Sequence, residues 1–152
     1  PVDWDNTVQA PMMQIFRLYF QIAFHRMEKL GIHPGQVPLF QALAAHDGQS
    51  QRELADSLCI KQSTMTVMIQ RLERSGFVER RADEHDQRVS RVYLTDAGRD
   101  IAAQCAQILH GIQQQLLEGF TPEEIILMRR FSKQIKENLV RAAEAAQRGG
   151  RP

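Results

Sequence analysis

A change in the spacing of apolar residues near the middle of the chain restricts the fold more than any other feature. Up to Gly76, apolar residues recur every three or four positions, as they do along one face of a helix. Residues 77–81 and 88–94 instead have the composition and the spacing of two β-strands, and the polar segment 82–87 between them is typical of a turn. The sequence therefore predicts helices, then one β-hairpin, then helices again.

Two short helices are predicted directly before this hairpin. Ser50-Gln51-Arg52-Glu53 is a capping box, in which the Ser and Glu side chains satisfy backbone N–H groups at the start of a helix. A short break at residues 59–61 separates this helix from a second one, which begins at Gln62 and ends near Ser75. Two helices joined by a tight turn and followed by a hairpin are typical of a winged helix-turn-helix, here placed within residues 34–94.

Longer helices are predicted on both sides of this motif. One spans about 7–30, and another begins at His33-Pro34. Thr95 caps a long helix that ends near Gly119, and Thr121-Pro122-Glu123-Glu124 opens the last helix. The predicted fold is mainly α with a small β-hairpin wing, in a single domain of residues 1–148 with long terminal helices at 1–30 and 95–148. Residues 149–152 are expected to form a disordered tail.

The outer side of the helix that begins at Gln62 is suited to contact the edges of DNA bases. Apolar residues collect on its opposite side, and the outer residues are small, polar or cationic. The second helix of such a motif can enter the major groove, where Val67 could touch a thymine methyl group. The alternative is an ordinary solvated helix face. The predicted DNA contacts here are Lys61, Gln62, Ser63, Thr64, Thr66, Val67, Gln70, Arg71 and Arg74.

The predicted wing supplies further cations. Residues 61–91 carry seven Lys or Arg against five Asp or Glu, whereas the whole chain has a net charge of +1. Arginines in a wing can contact phosphates or the minor groove. The alternative is that Asp83, Glu84 and Asp86 pair with them, and the Asp86-Gln87-Arg88 spacing favours a brace between Asp86 and Arg88. The predicted DNA contacts of the wing are Arg80, Arg81, His85, Gln87, Arg88 and Arg91.

The order and spacing of these segments resemble the MarR-type regulators over almost the whole chain. Glu53-Leu54-Ala55, Gln62-Ser63-Thr64-Met65-Thr66 and residues 72–80 resemble the helix-turn-helix of that family. Residues 83–88 and 92–98 resemble its wing and the start of the next helix. Val67 and Gln87 stand where the family often has arginine. This departure puts a minor-groove arginine at the wing tip in doubt, with His85 or Arg81 as substitutes.

The resemblance implies a homodimeric repressor that binds a pseudo-palindromic operator in double-stranded DNA. The terminal helices would form the dimer, and ordinary core packing is the alternative for each of its candidate residues. The expected interface residues are Trp4, Phe131, Ile135 and Leu139. The resemblance also implies a small aromatic acid that releases the DNA, with core packing again the alternative for the residues around it. The expected ligand-binding residues are Arg17, Phe20, Phe24, Gln36 and Phe40.

Other classes of function have less support in the sequence. No nucleophile–base pair and no glycine-rich phosphate loop is recognised, so an enzyme is not expected. The remaining alternative is a winged helix that contacts only proteins, for which acids would be expected in place of Thr66, Gln70 and Arg74. No metal and no cofactor is expected, and Cys59 and Cys105 are interpreted as small apolar fillers. No apolar run approaches the ~20 residues of a membrane span, and a cytoplasmic location is expected.

Overall fold

The computed structural model describes residues 3–149. Within them the chain divides into a first compact unit that ends at Gln113 and a second that begins at Gln114. In chain order the regular elements are α1 (Gln9–Met27), α2 (Val37–Ala45), β1 (Gln49–Ser50), α3 (Gln51–Ser57), α4 (Gln62–Arg74), β2 (Val78–Ala82), β3 (Ser90–Leu94), α5 (Asp96–Leu116) and α6 (Pro122–Gly149). Short 3₁₀ turns span Trp4–Asn6, Glu28–Leu30 and Pro34–Gln36.

The predicted helices and hairpin are present, with shifted ends. The strands lie at Val78–Ala82 and Ser90–Leu94 rather than at 77–81 and 88–94. α1 ends at Met27, before a 3₁₀ turn, and α5 ends at Leu116 rather than near Gly119. α6 continues through Gly149, which was expected to be the first residue of the tail. Residues 150–152 lie outside the described part of the chain.

The hairpin is part of a three-stranded antiparallel sheet in the order β1-β3-β2. β3 is the central strand, because Val92 pairs with Gln49 of β1 on one side and with Arg80 of β2 on the other. β1 was not predicted, since two residues are too few to show a strand period. This short strand joins the wing directly to the start of α3.

The core of the first unit collects apolar side chains from nearly every element. Met65, Ile69 and Leu72 of α4 are buried, which confirms the predicted inner side of this helix, and Met68 packs against them. Phe40 has no exposed surface and meets Phe77 edge to face at 6.0 Å between ring centroids. Phe40 is therefore a core residue and not a ligand-binding residue, in contrast to the expectation from the sequence.

Capping boxes are formed at two of the predicted helix starts. At α3, the Glu53 N–H donates to Ser50 Oγ at 3.2 Å, and the Ser50 N–H donates to Glu53 Oε2 at 2.7 Å. The Ser50 N–H lowers the pKa of Glu53 below its ordinary value. At α6, Thr121 and Glu124 repeat the arrangement at 3.3 and 2.9 Å. Both helices therefore begin where the sequence places them.

The two cysteines differ in their surroundings. Cys105 is buried in the core, where burial raises the pKa of its thiol. Cys59 is exposed at the turn between α3 and α4 and has a φ of 54°, in the left-handed region that few residues other than glycine adopt. The interpretation of Cys59 as an apolar filler is therefore wrong. No helix in residues 3–149 combines the length and the apolar character that crossing a membrane requires.

Candidate nucleic-acid interface

The outer face of α4 is a continuous exposed surface of polar and cationic side chains. We call it the α4 outer face and define it by Ser63, Thr64, Val67, Gln70, Arg71 and Arg74. All six are exposed, and Lys61 and Gln62 are exposed at the start of the helix. The α4 outer face bears two guanidinium groups and no carboxylate, so it presents positive charge together with side chains that can donate and accept hydrogen bonds.

The polar ends of these side chains make few hydrogen bonds within the protein. Arg74 Nε has one weak contact, to the Gln70 carbonyl oxygen at 3.4 Å. The side chains of Gln70 and Arg71 have no hydrogen bond or ion pair to any described residue of the chain. A helix face with this composition has donors and cations left over for an external partner.

Thr66 differs from the rest of the predicted contacts on this helix. Its hydroxyl donates to the Gln62 carbonyl oxygen at 2.9 Å and accepts from Gln51 Nε2 at 2.5 Å. The single hydroxyl proton is therefore used inside the protein, and Thr66 is half-buried. Thr66 links α4 to α3. The sequence did not predict this role, because Gln51 and Thr66 are 15 residues apart and no local pattern connects them.

Arg91 holds the wing to the rest of the first unit. Its Nε donates to the Asp83 carboxylate, and its Nη1 donates to the Gly48 carbonyl oxygen at 3.0 Å and lies 3.5 Å from Glu53 Oε2. The side chain is half-buried, and its pKa is raised by the hydrogen bond to Asp83. Arg91 thus has little of its guanidinium left for phosphate, in contrast to its predicted role in gripping the DNA backbone.

Asp83 organises the turn of the wing. Its Oδ1 accepts the backbone N–H groups of His85 at 2.8 Å and Asp86 at 2.9 Å, and its other oxygen accepts from Arg91. The Arg91 side chain and these N–H groups lower the pKa of Asp83 to about 2. The wing turn is therefore closed by an ionised carboxylate throughout the neutral range.

The Asp86–Arg88 brace is present as the sequence predicts. Arg88 Nε and Nη2 donate to the two oxygens of Asp86 at 3.0 and 3.2 Å, a forked arrangement. The hydrogen bonds from Arg88 lower the pKa of Asp86. The Arg88 side chain remains 91% exposed, so solvent or a polyanion can still reach its guanidinium.

The arginines of β2 also have partners inside the protein. Arg80 Nε lies 3.1 Å from Glu73 Oε2 of α4, and its side chain is only 30% exposed. Arg81 pairs with Glu79 and lies over the Tyr93 ring at 4.7 Å, but it is more exposed. Among the described residues, the side chains of His85 and Gln87 are exposed and have no hydrogen-bond partner. The tip of the wing is thus formed by His85, Gln87 and Arg88.

A cavity of about 550 Å³ lies beside the α4 outer face. Gln36 lines it, alone among the five expected ligand-binding residues, all of which are described. Phe20 and Phe24 are exposed on α1, where Phe20 stacks on Phe16 at 5.8 Å and Phe24 meets His33 at 5.9 Å. Arg17 is exposed on the same helix, and the expected set does not come together. The residues lining the cavity are His33, Gly35, Gln36, Ser63, Thr64, Val67, Met68 and Arg71.

Exposed apolar side chains are concentrated on α1 and α6. Trp4, in the turn before α1, is 62% exposed, and on α6 Phe131 and Leu139 are 51% and 62% exposed, while Ile135 is half-buried. α1 itself exposes a further set of large apolar residues: Met13, Ile15, Phe16, Leu18, Phe20, Ile22 and Phe24. Each helix therefore carries apolar surface that its own unit leaves uncovered.

The order of α3, α4 and a three-stranded sheet with a projecting hairpin defines a winged helix-turn-helix protein. Residues 32–90 match the family model described as the MarR family. The predicted resemblance to the MarR family is confirmed over these residues.

Solved structures have the same fold along most of the chain. The S. aureus MepR–DNA complex is 23% identical, with a TM-score of 0.82 and 89% of this chain and 98% of that chain covered. A MarR transcriptional regulator from Methanosarcina mazei Go1 is 27% identical, with a TM-score of 0.78 and coverage of 89% and 97%. PcaV from Streptomyces coelicolor, in complex with its natural ligand, is 20% identical, with a TM-score of 0.80 and coverage of 90% and 96%.

Histidine and acidic side chains are scattered through the structure. In residues 3–149, no group of three or more His, Cys, Asp or Glu side chains is arranged to hold a metal ion.

Proposed function

We propose that this chain is a DNA-binding transcriptional regulator that reads base edges with the α4 outer face. The observation that carries the proposal is the exposed, carboxylate-free surface of α4, whose Gln70, Arg71 and Arg74 have side-chain donors left unused inside the protein. The short side chains of Ser63 and Thr64 allow the helix to approach the floor of the major groove. The MepR–DNA complex, which shares the fold, supports the same assignment.

The wing contributes to DNA binding through its exposed tip. Arg88 and Arg81 are the wing arginines with the most accessible guanidinium groups, and His85 and Gln87 project beside them without internal partners. Arg80 and Arg91 act instead as positioning residues, because their guanidinium groups are half-buried against Glu73 and Asp83. The sequence left open which wing arginines pair with acids and which reach DNA, and this division of roles is our proposal for them.

The proposal is tested with sequences selected by the purified protein from random DNA. Arg74→Ala should weaken binding to selected and random duplexes alike, with a reduction of about 0.9 in the slope of log K against log salt if one phosphate contact is lost. Gln70→Ala should relax discrimination at one base pair by roughly 1–3 kcal/mol. Arg129→Ala on α6 removes the same charge from the second unit and serves as the matched control.

A winged helix that contacts only proteins is the alternative function. It predicts that no sequence is enriched in the selection and that Gln70→Ala and Arg74→Ala leave the residual DNA affinity unchanged. The absence of carboxylates from the α4 outer face favours DNA over basic protein partners.

The regulator acts as a homodimer on a pseudo-palindromic operator. Exposed apolar residues on the terminal helices, with Trp4, Phe131 and Leu139 among them, support burial against a second copy. Two copies of α4 would then face successive major grooves, about 34 Å apart. Selected sequences should therefore contain two inverted half-sites with centres roughly one DNA turn apart, and a single unpaired half-site would contradict the dimer.

Binding within a promoter makes repression the expected outcome. A transcription template that carries the selected operator across the promoter should yield less product as the protein is added, and a template with a scrambled operator should not. Increased transcription from the operator template would identify an activator instead.

A small aromatic acid is the proposed effector. The cavity beside α4 supports it, because the Arg71 guanidinium could pair with a carboxylate while Val67 and Met68 offer apolar surface. An acid bound there would cover Ser63, Thr64 and Val67 and compete with DNA. Salicylate and related acids should lower operator affinity in a titration, and an unchanged affinity across such a panel would contradict the proposal.

A further inference from the structure

Val67 is the one large apolar side chain that α4 exposes to solvent. It is 46% exposed, whereas Met65, Ile69 and Leu72 of the same helix are buried. A β-branched residue at a half-exposed helix position gains less packing energy than a buried one and has a lower helix propensity than alanine or leucine. The folding of α4 alone therefore gives little reason for valine at this position.

Polar side chains surround Val67 on the α4 outer face. Ser63 lies one turn before it, and Gln70 and Arg71 lie one turn after it, so all four share one stripe of the helix. The flanking side chains can bind hydrogen-bonding groups of bases, which leaves an apolar contact point in the centre. The 5-methyl group of thymine is the apolar feature that unmodified base pairs present in the major groove.

We propose that Val67 reads the 5-methyl group of a thymine in each operator half-site. This inference rests on the proposed function, and it names the chemical group that the centre of the α4 outer face recognises. Val67 has a restricted χ1 angle, so its methyl groups are held in place before DNA arrives and little side-chain entropy is lost on contact. Since valine carries no charge, its contribution to affinity is independent of salt, unlike that of Arg74.

The test removes the methyl group without changing base pairing. In the operator selected by the wild-type protein, each thymine is replaced in turn by deoxyuridine, and the dissociation constant of each duplex is measured. One thymine per half-site should show about fourfold weaker binding when its methyl is removed, which corresponds to the ~0.8 kcal/mol for burying one methyl-sized group. The effect should be the same at low and high salt.

The variant Val67→Ala links the effect to this side chain. Val67→Ala should bind the thymine duplex more weakly and show no difference between thymine and deoxyuridine at that position. Ser63→Ala, one turn away on the same face, is the matched control and should keep the wild-type difference. Cytosine and 5-methylcytosine at the same position should reproduce the preference for the methyl group in the wild-type protein and not in Val67→Ala.

Two results would overturn the inference while leaving DNA binding intact. One is an operator in which no thymine is sensitive to loss of its methyl group. The other is a sensitive thymine whose effect persists unchanged in Val67→Ala. If no sequence is enriched from random DNA at all, the proposed function fails before this question arises, so the two failures are distinguishable.

Discussion

The Asp83 carboxylate accepts three hydrogen bonds within the wing. Two backbone N–H groups and the Arg91 guanidinium all donate to its carboxylate, and together they hold its pKa at about 2, below the ordinary 3.8. Because the pKa is lowered by folding, ionised Asp83 stabilises the protein fully above about pH 4. This contribution is lost as the pH falls from about 4 toward 2.

The substitution Asp83→Asn should therefore lower the melting temperature most at pH 5–7. The difference in melting temperature from the wild-type protein should shrink as the pH is lowered below about 4, because Asp83 of the unfolded wild-type chain then takes up a proton, whereas that of the folded protein does so only near pH 2. Glu84→Gln, which changes a neighbouring carboxylate with no hydrogen-bond partner among the described residues, is the control. A difference for Asp83→Asn that stays constant from pH 7 to pH 3 would contradict this role of its charge.

Gly98 is a position where a single methyl group cannot be accommodated. A Cβ on Gly98 would lie 1.9 Å from the Phe77 carbonyl oxygen, so α5 and the start of the hairpin would have to separate. Gly98→Ala should reduce the free energy of unfolding by roughly 3 kcal/mol in urea denaturation. Gly111→Ala in the same helix is the matched control.

Gly111 has space for the added methyl group. The nearest atom to a Cβ there is Arg26 Nη1 at 3.7 Å, an ordinary contact distance. Gly111→Ala should raise the free energy of unfolding by about 0.5–1 kcal/mol, because alanine has the better helix propensity. Equal effects of the two substitutions would show that propensity, and not the contact with Phe77, governs both positions.

For single residues, the sequence shows which side chains carry charge, but it shows their hydrogen-bond partners only when these are close in the chain. The pair Asp86–Arg88 could be predicted because its members are two residues apart. The contact from Arg91 to Gly48 spans 43 residues, so no local pattern indicates it. The sequence could therefore assign a partner to Arg88, whereas the partner of Arg91 depends on the fold.

Local chemistry decides where the helices begin. The capping boxes at Ser50 and Thr121 could both be predicted, because all of their atoms lie within four consecutive residues. β1 and the left-handed Cys59 could not be predicted in the same way. β1 exists only through its pairing with β3. Cys59 is the left-handed residue that ends α3, where the Ile60 N–H donates to the Ala55 carbonyl oxygen at 2.9 Å, and such a position is usually glycine.

The capping box of α3 should make a measurable contribution to stability. Ser50→Ala leaves the Glu53 N–H without its side-chain acceptor, and we expect a loss of about 1 kcal/mol in the free energy of unfolding. Ser50→Thr, which keeps a hydroxyl acceptor, should retain most of the stability. If Ser50→Ala and Ser50→Thr were equally stable, the hydroxyl would not be the source of the effect.

In the whole molecule, the terminal helices α1 and α6 expose large apolar side chains to solvent. Phe131, Ile135 and Leu139 recur every four residues along one stripe of α6. Leu139→Glu would place a charge in an apolar interface, and we expect it to shift the protein from twice the chain mass toward the mass of one chain in light scattering. Lys133→Glu changes an exposed polar position of the same helix and should remain dimeric.

A wild-type protein that scatters as a single chain at micromolar concentration would contradict the dimer. The sequence could predict which helices carry the apolar stripes, since their spacing is visible without a fold. Which apolar residues remain exposed depends on how the chain packs. For this reason the sequence could not show that Phe40 lies in the core rather than in a ligand-binding site.

The polar network around Arg91 also bears on the kinetics of DNA binding. Hydrogen bonds from Arg91 close the wing turn at Asp83 and tie β3 to Gly48, the residue before β1. A wing that is already ordered loses little conformational entropy on binding, so on the proposed function the encounter complex can become the final complex without a slow folding step. Loosening the wing by Arg91→Lys should therefore slow association as well as speed dissociation, whereas loss of an exposed contact such as Arg88 should appear chiefly in the dissociation rate.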